Sequence, residues 1–215
     1  MNRIESQLVD GIKPELEQFG FKYIKTDRCF RKRNEVIQMF ILAATSRADY
    51  TSFAPVIAIQ VPEALEVFAR SLGLSDNVKK EMNTLIASLH RISKNQKYDP
   101  LIVRVDEDLD RARRDMTDRF KNIALPFFRT HDTLPSVDAA LNPVPVADTV
   151  FAGIGWSRYA MGLITAALCD RDDFEALLTE YRKRVKGVDR GFYVEKFEKV
   201  VAYLQQHHLP KQAAD

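Results

Sequence analysis

The sequence predicts an α+β fold: an antiparallel sheet of about four strands, helices packed on one face, and a C-terminal helical segment. Three observations predict it. Short β-prone runs cluster between Arg28 and Val61. The links between them, around Asn34 and over residues 45–51, are too short to hold crossover helices, so neighbouring strands must run antiparallel. Most of the remaining chain carries apolar residues at helical spacing.

Ile4, Leu8, Ile12, Leu16 and Phe19 predict an amphipathic helix over residues 3–19, closed by Gly20. Pro14 either kinks it or starts a second short helix after Lys13. Phe21 to Asp27 leads into a first short strand, Cys29-Phe30-Arg31. Arg33-Asn34-Glu35 reads as a turn, because Asn tolerates positive φ. Val36 to Ala43 is apolar apart from Gln38 and suits a central strand buried on most of both faces. After a polar loop, Phe53 to Val61 reads as a third strand, with Pro55 at its start or on an edge.

Pro62 fits a helix N-terminus, with Leu65, Phe68 and Leu72 on one face and Gly73 as the stop. Ser75 or Asp76 can cap a further helical segment, whose part after Leu85 suits an extended run equally well. Leu101 to Val105 reads as a strand. Asp106-Glu107-Asp108 favours the start of a long helix, with Leu109, Ala112, Met116, Phe120 and Ile123 on one face. Pro126 ends that pattern. Residues 126–147 also hold Pro135, Pro143 and Pro145 and read as a connection, with room for a short helix over Ser136 to Leu141. From Asp148 onward the pattern is helical, and residues 155–186 read as an αα-hairpin. The expected organisation is one domain in three parts. Residues 1–125 carry the sheet, 126–147 connect, and 148–208 are helical and share the core.

Hydrophobic residues make up 46% of the chain and charged residues 29%, which fits a soluble globular protein rather than a disordered one. The net charge of +2 gives no whole-molecule field toward nucleic acid or membrane. Cys29 and Cys169 fit no metal or redox spacing and read as reduced thiols. No apolar run approaches the ~18–20 residues of a membrane span, and the first residues lack a signal-peptide core. A cytoplasmic location with no membrane partner is expected.

His90, His131-Asp132 and Asp170 occur in the order used by His-Asp phosphohydrolases. The His-Asp pair, however, falls in a predicted loop, where no helix aims both ligands at one metal. Gly153-Ile154-Gly155 lacks a third glycine and a Walker lysine, and close helix packing explains it. The carboxylates Asp106, Glu107, Asp108 and Asp110 are explained by a helix start. No catalytic residue, metal site or cofactor is expected. The clearest local charge is Lys25, Arg28, Arg31, Lys32 and Arg33 against Asp27 alone, with Phe30 interleaved. Such a basic hairpin can grip phosphate, meet an acidic protein surface, or protect an edge strand against aggregation. Candidate binding residues are Arg31, Lys32, Arg33 and Gln38. Tyr50, Trp156 and Arg158 are candidates for lining a cleft between the sheet and the C-terminal helices.

L-E-Q-F-G-F-K, C-F-R-K-R-N-E-V-I-Q-M-F and F-A-P-V-I-A-I-Q-V together resemble domain-of-unknown-function family 4304 over about residues 8–130. The likeness extends to L-I-V-R-V-D-E-D-L-D and A-L-P-F-F. Leu101 and Ile102 stand roughly where that family often carries tryptophan, which is a departure. The resemblance implies the helix–strand–strand order but brings no catalytic residues. Compact α/β proteins of this kind also occur among bacterial immunity proteins, an analogy of architecture.

The leading functional expectation is therefore a non-enzymatic, bacterial-type binding protein, immunity-like and acting by protein–protein interaction through the sheet edge or basic hairpin. An enzyme with an unrecognised site between sheet and C-terminal helices is one alternative. Nucleic-acid binding through residues 25–33 is the other, although nucleic acid is not the expected partner. The sequence does not fix an oligomeric state.

Overall fold

The computed structural model describes residues 3–93, 100–104, 107–143, 151 and 155–208. Its first elements are α1 (Arg3–Glu17), β1 (Lys22–Ile24), β2 (Cys29–Arg33), β3 (Ile37–Ile41), β4 (Ala44–Ser46), β5 (Thr51–Phe53) and β6 (Val56–Gln60). Then come α2 (Pro62–Leu72), α3 (Asp76–Glu81), β7 (Leu85–Ser88), α4 (Leu89–Ile92), β8 (Leu101–Val103), α5 (Asp108–Arg119), α6 (Leu125–Thr130) and α7 (Leu134–Leu141). The last three helices are α8 (Trp156–Leu168), α9 (Phe174–Gly187) and α10 (Val194–His207). Two compact units result: Met1–Ile59 with Ile86–Thr130, and Gln60–Leu85 with His131–Asp215. The chain leaves the first unit at the end of β6 and re-enters it at the start of β7. Its final exit, at 130/131, lies inside the stretch read as a connection.

The α+β class with antiparallel strands is as the sequence predicts. Strand number differs. Instead of one sheet of about four strands there is a five-stranded sheet in the order β1-β2-β3-β6-β7 and a three-stranded sheet in the order β4-β5-β8. The expected third strand is divided, because Pro55 has no N–H to give to a ladder. Its head, Phe53, pairs with Ala44 and Leu101 in the smaller sheet. In the larger sheet Phe30 lies opposite Tyr23 and Phe40. The predicted Leu101 strand ends at Val103. Val105, Asp106, Gly153 and Ile154 lie outside the described residues.

In the first unit α1 buries Leu8, Val9, Ile12 and Leu16 and runs through Pro14 in one piece. Gly20, at φ +84°, turns the chain so that the Phe21 N–H reaches the Leu16 carbonyl at 3.3 Å. α1 packs closely on α5, where a Cβ at Gly11 would run into the Arg113 side chain.

Pro126 does not end the long helix as predicted. A π-helical turn over Phe120–Ala124 joins α5 to α6, and the Leu125 N–H bonds the Phe120 carbonyl five residues back. Proline lacks the N–H for the next rung, and its ring would press on the carbonyl four residues earlier. The widened turn lets the helix continue through it. The same turn aims Phe120 into the core, edge-on to Phe21 and Phe40 at 5.1 and 5.3 Å between ring centres.

In the second unit Pro62 opens α2 and Gly73, at φ +66°, closes it, as predicted. Thr133 and Ser136 form a reciprocal capping box at the start of α7. α8 packs on α2, α7, α9 and α10 and is buried around most of its circumference. Its surroundings include a closed polar cluster. The Asp138 carboxylate accepts from Asn142 Nδ2 at 2.5 Å, Thr165 Oγ1 at 2.9 Å and Arg171 Nη1 at 3.0 Å. Tyr181 donates to Asn142 Oδ1 at 2.5 Å. A Cβ at Gly162 would sit 2.6 Å from that same Asn142 oxygen, so the cluster requires glycine there. Burial pushes the Tyr181 phenol up to about 12. Burial, helped by the nearby Asp138 carboxylate, pushes the Cys169 thiol up to about 11. Among the described residues no helix is long and apolar enough to cross a membrane.

Candidate interaction surface

Side chains alternate across a strand, so register decides which residues share a face. Lys22 pairs with Arg31, Cys29 with Ile41, Arg31 with Met39 and Arg33 with Ile37. All of these side chains fall on one face of the five-stranded sheet. Phe30, Lys32, Gln38 and Phe40 fall on the other, which the π turn and α6 cover through Phe120 and Phe128. An antiparallel sheet with one covered face normally presents polar residues on its other side. Here β3 is inverted. Its polar residue, Gln38, is buried on the covered face, while on the opposite face Met39 is buried and Ile37 and Ile41 are half-buried. Cys29, Met39 and Ala58 form the floor of this apolar face, and the partly exposed Ile37, Ile41 and Ile86 pack around them.

The register explains Gln38. Its Nε2 donates to the Phe128 carbonyl at 2.7 Å in a buried position, tying β3 to α6. Gln38→Leu should leave that carbonyl without this donor and cost about 1–3 kcal/mol. A urea denaturation series would check it.

The basic run is divided by the fold. Arg28, at φ +51°, makes a bidentate pair with buried Glu5 at 2.9 and 2.5 Å. Arg31 pairs with Asp27. Lys32 lies on the covered face, its Nζ 5.9 Å from the centre of the Phe21 ring. Lys22 and Arg33 are exposed on the outward face and make no ion pair among the described residues. Lys22, Arg31 and Arg33 thus form a basic border beside the apolar patch. The edge strand is β1, whereas the charged strand β2 lies second in the order, so the run does not act as edge protection.

Tyr50, Trp156 and Arg158 have other settings. Tyr50 belongs to the first unit, in the β4–β5 turn, where its carbonyl accepts from the Arg47 N–H at 2.8 Å. Trp156 belongs to the second, stacked between Phe68 and Tyr193 at 5.6 and 5.5 Å. Arg158 is buried there, bonded to the Leu141 carbonyl at 3.3 Å and lying over the Tyr159 ring. None of the three is on the sheet face. His131 and Asp132 lie between α6 and α7, away from any helix, as predicted. Among the described residues no group of three His, Cys, Asp or Glu could hold a metal ion. A hollow of about 290 Å³ has apolar walls of Ala54, Pro55 and Leu89, with His90 and the Arg119 guanidinium beside them. Ser88, two residues before His90, also lines it.

The family described as Domain of unknown function (DUF4304) matches residues 12–130, more than half of the chain. The chain belongs to the DUF4304 family. Nothing matches among the curated proteins or the solved structures. The DUF4304 segment starts within α1 and ends with α6, so it includes all eight strands and both faces of the larger sheet. Phe21, Phe30, Gln38 and Phe40 lie within the matched span and pack on the covered face. The outward face is formed by the alternate residues of the same DUF4304 strands. α7 to α10 lie beyond the match.

Proposed function

We propose that this DUF4304 member is a binding protein that takes a protein partner on the outward face of its five-stranded sheet. The inverted polarity of β3 carries the reading, because an apolar outward face is an informative departure from ordinary surfaces. A sheet face is broad and shallow, which suits another protein better than a small molecule. The basic border defines the partner's chemistry: an apolar contact patch flanked by carboxylates, which meet Lys22 and Arg33. Nucleic acid is less favoured, since Arg28 and Arg31 are ion-paired and Lys32 lies on the covered face. An immunity-like role, in which binding occludes the partner, is the narrower form of this proposal.

The test uses the full chain as bait in a lysate of its native host. The captured protein is identified, purified and titrated by calorimetry. Ile41→Lys should weaken the purified pair by about tenfold or more. Its own thermal midpoint should stay close to that of the unmodified chain, because Ile41 is only partly buried. Arg33→Glu should weaken binding and reduce its salt dependence, and Lys183→Glu, on α9, should do neither. Equal affinity for Ile41→Lys would sink the proposal. So would a homodimer, seen by light scattering, that Ile41→Lys dissociates.

A further inference from the structure

We infer that the turn between α9 and α10 docks on the surface of an anionic lipid bilayer, with Phe192 entering the headgroup region and the cations around it meeting the lipid charges. Phe192 is 74% exposed, more than any other large hydrophobic residue described.

The turn that presents this ring is strained. α9 ends at Gly187, and Asp189, Arg190 and Gly191 then take φ of +45°, +55° and +83° in succession. Left-handed backbone crowds the Cβ of an L-residue against its own main chain, so two such residues in a row are disfavoured. The Phe192 N–H bonds the Asp189 carbonyl at 3.2 Å and closes the turn. Behind it Phe68, Trp156 and Tyr193 stack in a row, at 5.6 and 5.5 Å between ring centres, which fixes Tyr193. Phe192 meets Tyr193 edge-on at 5.0 Å and otherwise stands clear of the fold. Strain that holds an aromatic ring out in water points to a use for that ring.

The charge around the turn selects the surface. Over residues 180–199 seven cations stand against four carboxylates, in a chain whose total is only +2. Three of those carboxylates are already paired: Glu180 with Arg184, Glu195 with Lys199 and Glu198 with Arg182. The fourth, Asp189, is set against Lys183, Lys186, Arg190 and Lys196, none of which has an ion pair among the described residues. An excess of three cations therefore remains after every carboxylate is counted. Lys196 Nζ lies 5.7 Å from the centre of the Tyr193 ring, beside Phe192.

One protruding ring among cations suits a bilayer better than a protein, whose interface takes about 800 Å² per partner and a cluster of anchors. A stacked base wants a ring lying flat on the protein with one face covered, and this ring stands clear. Shallow insertion held by attraction to anionic lipid is a reversible contact and not a span. The turn belongs to the second unit and the proposed partner face to the first, so failure of either leaves the other standing.

The full chain would be sedimented with vesicles of phosphatidylcholine alone and of phosphatidylcholine mixed with phosphatidylserine. It should bind the mixed vesicles, leave them as salt is raised, and ignore phosphatidylcholine alone. Phe192→Ala, and Lys186→Glu combined with Arg190→Glu, should each lower the partition coefficient about tenfold. Their circular dichroism should match that of the unmodified chain, since all three side chains are exposed. Phe192→Trp should add an emission component that moves to shorter wavelength on the mixed vesicles. No binding to those vesicles overturns the inference, as does binding that Phe192→Ala leaves unchanged or an emission that does not move. A single-stranded oligonucleotide bound in place of the vesicles would overturn it in favour of nucleic acid. Capture of a host protein that Phe192→Ala abolishes, without vesicle binding, would assign the ring to a protein pocket instead.

Discussion

Asp138→Ala should destabilise the second unit by about 3 kcal/mol or more. The carboxylate is 4% exposed and accepts from three side chains at once. Two of these donors, Asn142 and Thr165, are themselves almost wholly buried. They retain the Gly162 carbonyl as a second acceptor, which limits their loss. Arg171 retains Asp173, bonded at 2.7 and 2.6 Å. The remaining cost is the cavity left by the carboxylate and a cationic group deprived of its buried counter-charge. The chain has one tryptophan, Trp156, and it lies in this unit, so its fluorescence in a urea titration reads the change directly. A midpoint close to that of the unmodified chain would show that the cluster contributes little.

Phe120→Ala should cost the first unit about 3–5 kcal/mol. The ring is fully buried and touches Phe19, Phe21 and Phe40 at 6.0, 5.1 and 5.3 Å between centres. It therefore joins the end of α1, the start of the larger sheet and its central strand in one contact set. Phe120→Leu restores much of the apolar volume but not the edge-to-face geometry, each such pair being worth about 0.5–1.5 kcal/mol. The leucine variant should fall between the other two. Hydrogen exchange at the β3 amides is the suitable measurement, since the tryptophan lies in the other unit. Equal protection in Phe120→Ala and the unmodified chain would contradict the role given to this ring.

The sequence carried the helices and the β2–β3 hairpin because each depends on neighbours within a few residues. Gly20 and Gly73 stop helices by their own backbone freedom, whereas Asn34 stands in the β2–β3 turn without the positive φ expected of it. Pro126 misled because its local preference is to end a helix, whereas packing of Phe120 and Phe128 favoured a widened turn that continues it. β4 was hidden in the polar residues around 45–51, and its partner β5, which begins at Thr51, pairs on its other side with β8 some fifty residues later. The outward face was half-legible. The alternation I-Q-M-F-I was plain, but only strand register showed that Lys22, Arg31 and Arg33 border the isoleucines.

The division of the chain bears on how this family can be inherited. The DUF4304 match includes α2, yet α2 packs on α8 and α10, which the match does not include. Ala64, Leu65, Val67, Phe68 and Ala69 of α2 are buried, and Phe68 stacks on Trp156 of α8. A recombination event that copied only residues 12–130 would carry this helix without its cover and expose an apolar stripe. A gene that lost the C-terminal helices would need compensating substitutions at those five positions, or a new covering segment. In this chain the two sets of residues depend on each other for cover, although the matched span ends between them.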